Sequence, residues 1–341
     1  MRRYFCPQCQ SEVYFDNTVC VSCNSSLGYS SSIDSFRALS TLVPLQQGSE
    51  SICANHDLIG CNWIVEHTET SHFCSSCQHT LIIPNLSTTP NVERWARLER
   101  AKRMLFYGLL KFHLPLELEK NTLNGRLQFE FKSDLLSFVG QEAKTITGHK
   151  DGVITINIKE ADDDVREQQR VQMGEPYRTL IGHFRHEIGH YYWDRLVANT
   201  ERLDQFRAMF GDERIDYAQA LQRHYQFGEP QGWEMRYVSA YASSHPWEDF
   251  AETWAHYFHI VDGLETAQSY HIKSTDVSGG VYESSYEEKD FSTLISAWVP
   301  LTIAMNAMNR SIGNSDFYPF VLSDAISEKL HFVHNLIHHF E

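Results

Sequence analysis

The first long amphipathic period begins near Asn91. Val92, Trp95, Leu98, Met104 and Leu105 recur at near-helical spacing with charges between them, which predicts a helix. Leu127-Gln128-Phe129-Glu130-Phe131 alternates with the period of a strand, and so does Ile154-Thr155-Ile156-Asn157-Ile158 after the turn pair Asp151-Gly152. From Tyr177 onward the pattern is mostly helical, with Leu180, Phe184, Ile188 and Tyr192 on one stripe. Strands followed by helices predict an α+β domain from about residue 91 to the end, residue 341. Residues 1–84 carry few long apolar periods. Ser30-Ser31-Ser32 and Gln46-Gln47-Gly48-Ser49 read as loops, and Asn85-Leu86-Ser87-Thr88-Thr89-Pro90 reads as a linker.

The most apolar stretch, Leu294 to Met308, holds Trp298, Pro300 and Asn306 and is shorter than a membrane span, which predicts a buried hairpin or helix. No apolar run of signal-peptide kind follows Met1-Arg2-Arg3, so a cytoplasmic protein without membrane contact is expected. Lys plus Arg number 29 and Asp plus Glu 44, a formal charge of -15 over 341 residues. That balance argues against a broad nucleic-acid surface and against anionic membranes.

All eight cysteines lie before residue 78. Cys6-x2-Cys9 and Cys20-x2-Cys23 are two knuckles separated by ten residues, the spacing of a four-thiolate zinc ribbon over residues 1–28. Cys74-x2-Cys77 is a further knuckle within residues 51–84. Cys53 and Cys61 are its expected partners, with His56 able to substitute for one; two four-cysteine structural zinc sites use every thiol. Residues 1–84 hold three basic and seven acidic residues, three minus seven giving -4, which favours protein docking, substrate recruitment or an architectural role over nucleic-acid binding. His334, His338 and His339 are expected to decorate a terminal helix with Leu330, Val333 and Ile337.

The chemistry concentrates at His186-Glu187-Ile188-Gly189-His190. Histidines four apart on a helix project from one face and can reach one zinc ion, while Glu187 is placed to act as general base on a zinc-activated water. A third ligand is expected from His245-Pro246-Trp247-Glu248-Asp249-Phe250-Ala251-Glu252, where Pro246 suits a first helical turn and Glu248 and Glu252 share a face. One acid would bind zinc and the other orient a histidine. By spacing alone Asp249, His245 and His256 compete as ligands, and Tyr241 and Tyr237 are both candidate oxyanion donors.

His183-Phe184-Arg185-His186-Glu187-Ile188-Gly189-His190-Tyr191-Tyr192-Trp193 resembles the signature of a bacterial family of zinc-binding metallopeptidases with an N-terminal zinc ribbon. The resemblance continues through Gly211-Asp212-Glu213-Arg214, Ser239-Ala240-Tyr241-Ala242, His245 to Glu252, Asn309-Arg310-Ser311-Ile312-Gly313 and Tyr318-Pro319-Phe320. It implies a mostly helical, zincin-like domain over residues 91–341 with a small sheet. The wider gluzincin clan has a Glu-x-x-x-(Asp/Glu) ligand helix, which carries the ligand role to Glu248 and the orienting role to Glu252. A clan member, anthrax lethal factor, places a catalytic tyrosine seven residues before its ligand glutamate, which favours Tyr241 over Tyr237. The gap between His190 and Glu248 is wider than in thermolysin-like members and requires inserted helices.

The resemblance thus implies a zinc peptidase with one catalytic and two structural zinc ions, acting on peptide or protein substrates. Two other readings are a catalytically silent, zinc-stabilised protein-binding module and a nucleic-acid-associated protease recruited by its ribbons. Gluzincin-like clefts bind an extended peptide along an edge strand, a role that residues 153–158 would fill. Asn306, Asn309 and Arg310 lie at helical spacing and face either substrate or, for Arg310, an ion-pair partner.

Overall fold

The structure, a computed structural model, describes residues 1–41, 50–66, 71–116, 126–136, 142–143, 145–172, 178–272 and 284–339. The loop expected at Gln46-Gln47-Gly48-Ser49 and the position of Tyr177 lie outside these residues. Two compact units divide the chain, residues 1–168 and 169–341.

In the first unit, strands β1 (Tyr4–Phe5) and β2 (Glu12–Val13) form a hairpin, as do β3 (Leu27–Ser30) and β4 (Ser35–Ala38). Each of the first two Cys-x2-Cys segments folds into the same tight turn. The amides of Gln10 and Asn24 donate to the carbonyls of Cys6 and Cys20 at 2.9 and 2.8 Å, and both residues take the left-handed conformation. That turn swings two thiols to one side. The short strands β5 (Ser51–Ile52) and β6 (Ile64–Val65) pair around the one-turn helix α1 (His56–Ile59) and carry Cys53 and Cys61. Tyr4, Phe15, Tyr29, Phe36 and Trp63 are all buried and meet edge-on or tilted, with Phe15 reaching Tyr107 of α2 (Asn91–Lys111). Short strands with few aliphatics are therefore held by aromatic contacts and thiol clusters.

The start of α2 matches the amphipathic period read from Asn91. Its Leu98, Leu105, Phe106 and Leu109 are buried, and Phe106 meets Phe129 at 6.0 Å. Strand β7 (Thr80–Ile82) and strands β8 (Gln128–Lys132), β11 (Gly148–Lys150) and β12 (Val153–Asn157) make a four-stranded sheet of order β11-β12-β8-β7. Strands β9 (Leu135–Leu136) and β10 (Glu142–Ala143) form a separate pair. Alternation holds: Phe129, Phe131, Ile154 and Ile156 are buried while their neighbours are half-buried. The edge-strand role expected of residues 153–158 is not met. β12 pairs antiparallel with β11 on one side and parallel with β8 on the other, so its backbone groups are already used. The sequence could not reveal this, because alternation reports which faces are buried and not which edges are free.

The boundary between the units falls within helix α3 (Asp163–Gln172). The second unit is helical: α4 (Leu180–Leu196), α5 (Leu203–Phe210), α6 (Tyr217–Phe227), α7 (Pro246–Ser269), α8 (Phe291–Ser311) and α9 (Asp324–His338). Thr179 caps α4 by accepting from the Gly182 amide at 3.0 Å. His245 caps α7 by accepting from the Trp247 amide at 3.0 Å, with Pro246 in the first turn as expected. α4 packs along α7, where Tyr192 stacks on Trp254 at 4.9 Å. The stretch expected to be a buried hairpin or helix is α8, a helix with two characters. Leu294, Trp298 and Leu301 are buried, whereas Ile303 and Met308 are 64% and 62% exposed. Among the described residues it is the one helix long and apolar enough, by length and composition, to cross a membrane.

Candidate metal centre

α4 presents His186 and His190 one turn apart, and α7 brings Glu248 to meet them. Glu248 Oε2 lies 2.9 Å from His186 Nε2 and 3.5 Å from His190 Nε2. All three residues are buried, and their ligand atoms fall within 4.8 Å of one another. The two helices approach this closely because residue 189 is glycine. A Cβ there would lie 2.9 Å from Ala251 Cα and 3.2 Å from Trp254 Cβ. Helix propensity alone favours alanine by about 1 kcal/mol. A backbone contact that short cannot relax by a rotamer change, so a loss of about 1–3 kcal/mol outweighs it. Gly189→Ala is expected to lower the melting temperature and the metal content together; an unchanged melting curve would refute the close-approach argument.

Glu252 sits one turn beyond Glu248 and accepts from His186 Nδ1 at 2.6 Å. Its other oxygen accepts from Ser239 Oγ at 2.6 Å, and Ser239 in turn accepts from the Ala242 amide at 3.1 Å. Burial pushes the Glu252 carboxyl up, but His186 more than reverses this and holds it down at about 2. With Nδ1 donating to Glu252, His186 Nε2 points at a carboxylate oxygen; burial would lower the imidazole's pKa, but Glu248 and Glu252 outweigh it and raise it well above the usual value, so Nε2 holds a proton until a metal ion takes its place. Glu248 Oε2 has no hydrogen bond and is fully buried. Lone pairs converging in a buried pocket require a cation between them, a proton or a metal ion. Burial opposes ionisation of Glu248, yet the two histidines keep its pKa well below the usual range, so a carboxylate stands ready for that cation.

Glu187 is buried beside the first histidine and outside the ligand cluster. Its Oε1 lies 3.5 Å from His183 Nε2, and its Oε2 has no hydrogen bond. The Tyr241 ring lies 5.9 Å from the His186 ring. Burial first, and Glu248 second, raise its phenol well above the usual value, so it stays a proton donor. Tyr237 is elsewhere: Lys329 Nζ lies over its ring at 4.5 Å. The competing ligands are spent in the same way. Asp249 accepts from Lys329 at 2.6 Å, His245 caps α7, and His256 bonds the Tyr318 hydroxyl at 2.7 Å. Asn306 donates to the Tyr318 carbonyl, Asn309 to the Ser315 carbonyl, and Arg310 pairs with Asp316 at 2.6 Å, so the ion-pair role holds for Arg310.

Three contacts at the site were not foreseen. Tyr217 donates to Glu248 Oε1 at 2.6 Å, Trp247 packs on His190 with ring centroids 3.8 Å apart, and Ser239 holds Glu252. Ser239 and Trp247 lay inside recognised segments. Tyr217, thirty-one residues before Glu248, carried no spacing signal.

The cysteines form two further clusters, Cys6, Cys9, Cys20 and Cys23, and Cys53, Cys61, Cys74 and Cys77, all as free thiols. His56 belongs to neither; its Nδ1 faces the Cys61 carbonyl at 2.9 Å. The second cluster is wholly buried and lies near Arg103 of α2, which is itself buried with Nε and Nη1 lacking hydrogen bonds. Burial would lower this guanidinium, but Cys61, Cys77 and Glu99 outweigh it and raise its pKa. A metal held by four thiolates carries excess negative charge, which is what a buried guanidinium requires.

A family model described as "Putative zinc-binding metallo-peptidase" matches residues 91–336, most of the chain and every residue of the His186, His190 and Glu248 cluster. The chain belongs to this family. A zinc-ribbon domain model matches residues 3–88, which contain both cysteine clusters. Among curated proteins the chain is similar to uncharacterized proteins of Mycobacterium bovis and of two Mycobacterium tuberculosis strains, each 41% identical over 338 residues, covering 99% of this chain and 95% of the relative. No solved structure matches. Membership thus supports zinc as the cation, consistent with donor sets of imidazole, carboxylate and thiolate.

Proposed function

We propose that this protein is a zinc-dependent peptidase of gluzincin type, with one catalytic and two structural zinc ions. The observation that carries this is the convergence of His186 Nε2, His190 Nε2 and Glu248 Oε2, with the unliganded carboxylate of Glu187 beside them. Zinc bound there would polarise a scissile carbonyl and acidify a water molecule. Glu187 takes the proton from the attacking water and returns it to the leaving amine. Glu252, steadied by Ser239, fixes the tautomer and orientation of His186. Tyr241, kept protonated by burial and by Glu248, donates to the carbonyl oxygen as charge develops on it. The four-cysteine clusters hold structural zinc, and the acidic ribbon region serves as a docking surface for a protein partner or substrate.

The test is cleavage of a diverse peptide library by full-length zinc-loaded protein, with loss on treatment with a chelator and recovery on adding zinc back. If zinc is bound at all three clusters and no peptide is cut, the binding-module reading replaces this one. The ligand assignment has its own measurement. Glu248→Ala is expected to empty the His186 and His190 site while both cysteine sites stay loaded. Glu252→Ala is expected to weaken zinc by about 10–100-fold, the usual effect of losing a histidine's orienting partner. The reverse order would exchange the two roles.

A further inference from the structure

We propose that Tyr217 is a positioning residue that restricts Glu248 to metal ligation through a single oxygen. The inference rests on the reading of Glu248 as the third ligand. Oε2 faces both histidines, while Oε1 points the other way and accepts from the Tyr217 hydroxyl at 2.6 Å. A carboxylate whose second oxygen is held by a phenol cannot swing into two-oxygen ligation. A coordination position therefore stays open for substrate. The same hydrogen bond draws charge from the carboxylate and leaves the metal a stronger Lewis acid.

The surroundings indicate that this contact is built rather than incidental. α6 has no buried residue, and along its length His224 meets the Tyr241 ring at 6.0 Å. Its first residue, 39% exposed, meets the rings of His245, at 5.1 Å, and Trp247, at 5.9 Å, edge-on. Asp216 caps α6 by accepting from the Gln219 amide at 2.9 Å, which fixes the direction in which Tyr217 leaves the backbone. The preceding loop is docked at the start of α7, one turn from Glu248. Gly211 takes a positive φ beside Pro246, where a Cβ would meet the ring at 3.3 Å, and the Ile215 carbonyl faces His245 Nε2 at 3.3 Å. Arg207 with Glu213 and Arg214 with Asp212 close the loop on itself. Gly211-Asp212-Glu213-Arg214 thereby delivers one hydroxyl to a ligand thirty-one residues away.

The experiment compares Tyr217→Phe, which keeps the ring packing and removes only the hydroxyl, with Tyr225→Phe on the same helix. Tyr225 is 61% exposed and stands eight residues further along α6 than Tyr217. Two readouts apply to the full chain: the rate of zinc release from the His186, His190 and Glu248 site to a chelator, and the visible spectrum after cobalt(II) replaces zinc there. Tyr217→Phe is expected to release zinc about 10–100-fold more slowly, because the freed and more basic carboxylate adds its second oxygen to the metal. Its cobalt bands should weaken toward those of a five-coordinate ion, and Tyr225→Phe should match wild type in both. Release at the wild-type rate or faster with an unchanged spectrum overturns the proposal, as does equal slowing in Tyr225→Phe. Neither readout needs peptide cleavage, so failure of the peptidase reading and failure of this one are separately visible.

Discussion

On the proposed reading, Glu187→Gln is expected to keep the zinc content of wild type and to slow peptide hydrolysis by about 10^2–10^4-fold, the usual contribution of a positioned general base. Glutamine has nearly the same shape, so the packing around a side chain of low exposure is preserved. Glu187 is not among the ligand atoms, so zinc content is expected to hold. A buried carboxylate with an oxygen that lacks a hydrogen bond is also a cost to folding, hence the melting temperature is expected to stay level or rise. Turnover, zinc content and melting are measured on the same preparations. Turnover equal to wild type would sink the general-base role. Loss of zinc would instead place Glu187 among the ligands.

Cys74→Ser is expected to unfold much of the first unit. Cys74 is fully buried, with its thiol 3.8 Å from that of Cys61, which in turn lies 3.7 Å from that of Cys77. A structural zinc contributes about 10–16 kcal/mol in small ribbon domains, as much as the whole stability of an ordinary domain, about 5–15 kcal/mol. Removing it also strips Arg103 of the negative charge that its burial requires, beside the fully buried Glu99 and Lys102 pair on the same helix. The damage therefore runs into α2. Cys9→Ser is expected to be milder, because Cys9 is exposed and its cluster sits nearer the surface. Limited proteolysis and circular dichroism of both variants check the contrast. Equal melting of Cys74→Ser and wild type would show that the buried cluster does not hold the unit together.

Much of the site was legible because its signals are local. His186 and His190 fall on one face by helical geometry alone, and a Cys-x2-Cys turn aims its own two thiols together. The cap and first turn of α7 follow from His245 and Pro246. The choice of Glu248 over Asp249 was less local: it turned on which face of α7 meets α4, since Asp249 points instead toward Lys329 of α9. The edge role expected of β12 failed for a related reason. Pairing partners lie far along the chain, and β11 and β8 had to be placed before its edges could be judged.

The sequence by itself determined the ligand types, the helix that carries two of them, the cysteine pairs and the amphipathic start of α2. These depend on contacts within a few residues, where backbone geometry fixes direction. Only the tertiary structure decided that Gly189 meets Ala251, that Arg103 lies beside the second thiol cluster, and that Tyr217 holds the far oxygen of Glu248. Each of these joins residues separated by tens of positions, and such a meeting is fixed by how helices and loops pack, which no spacing along the chain records.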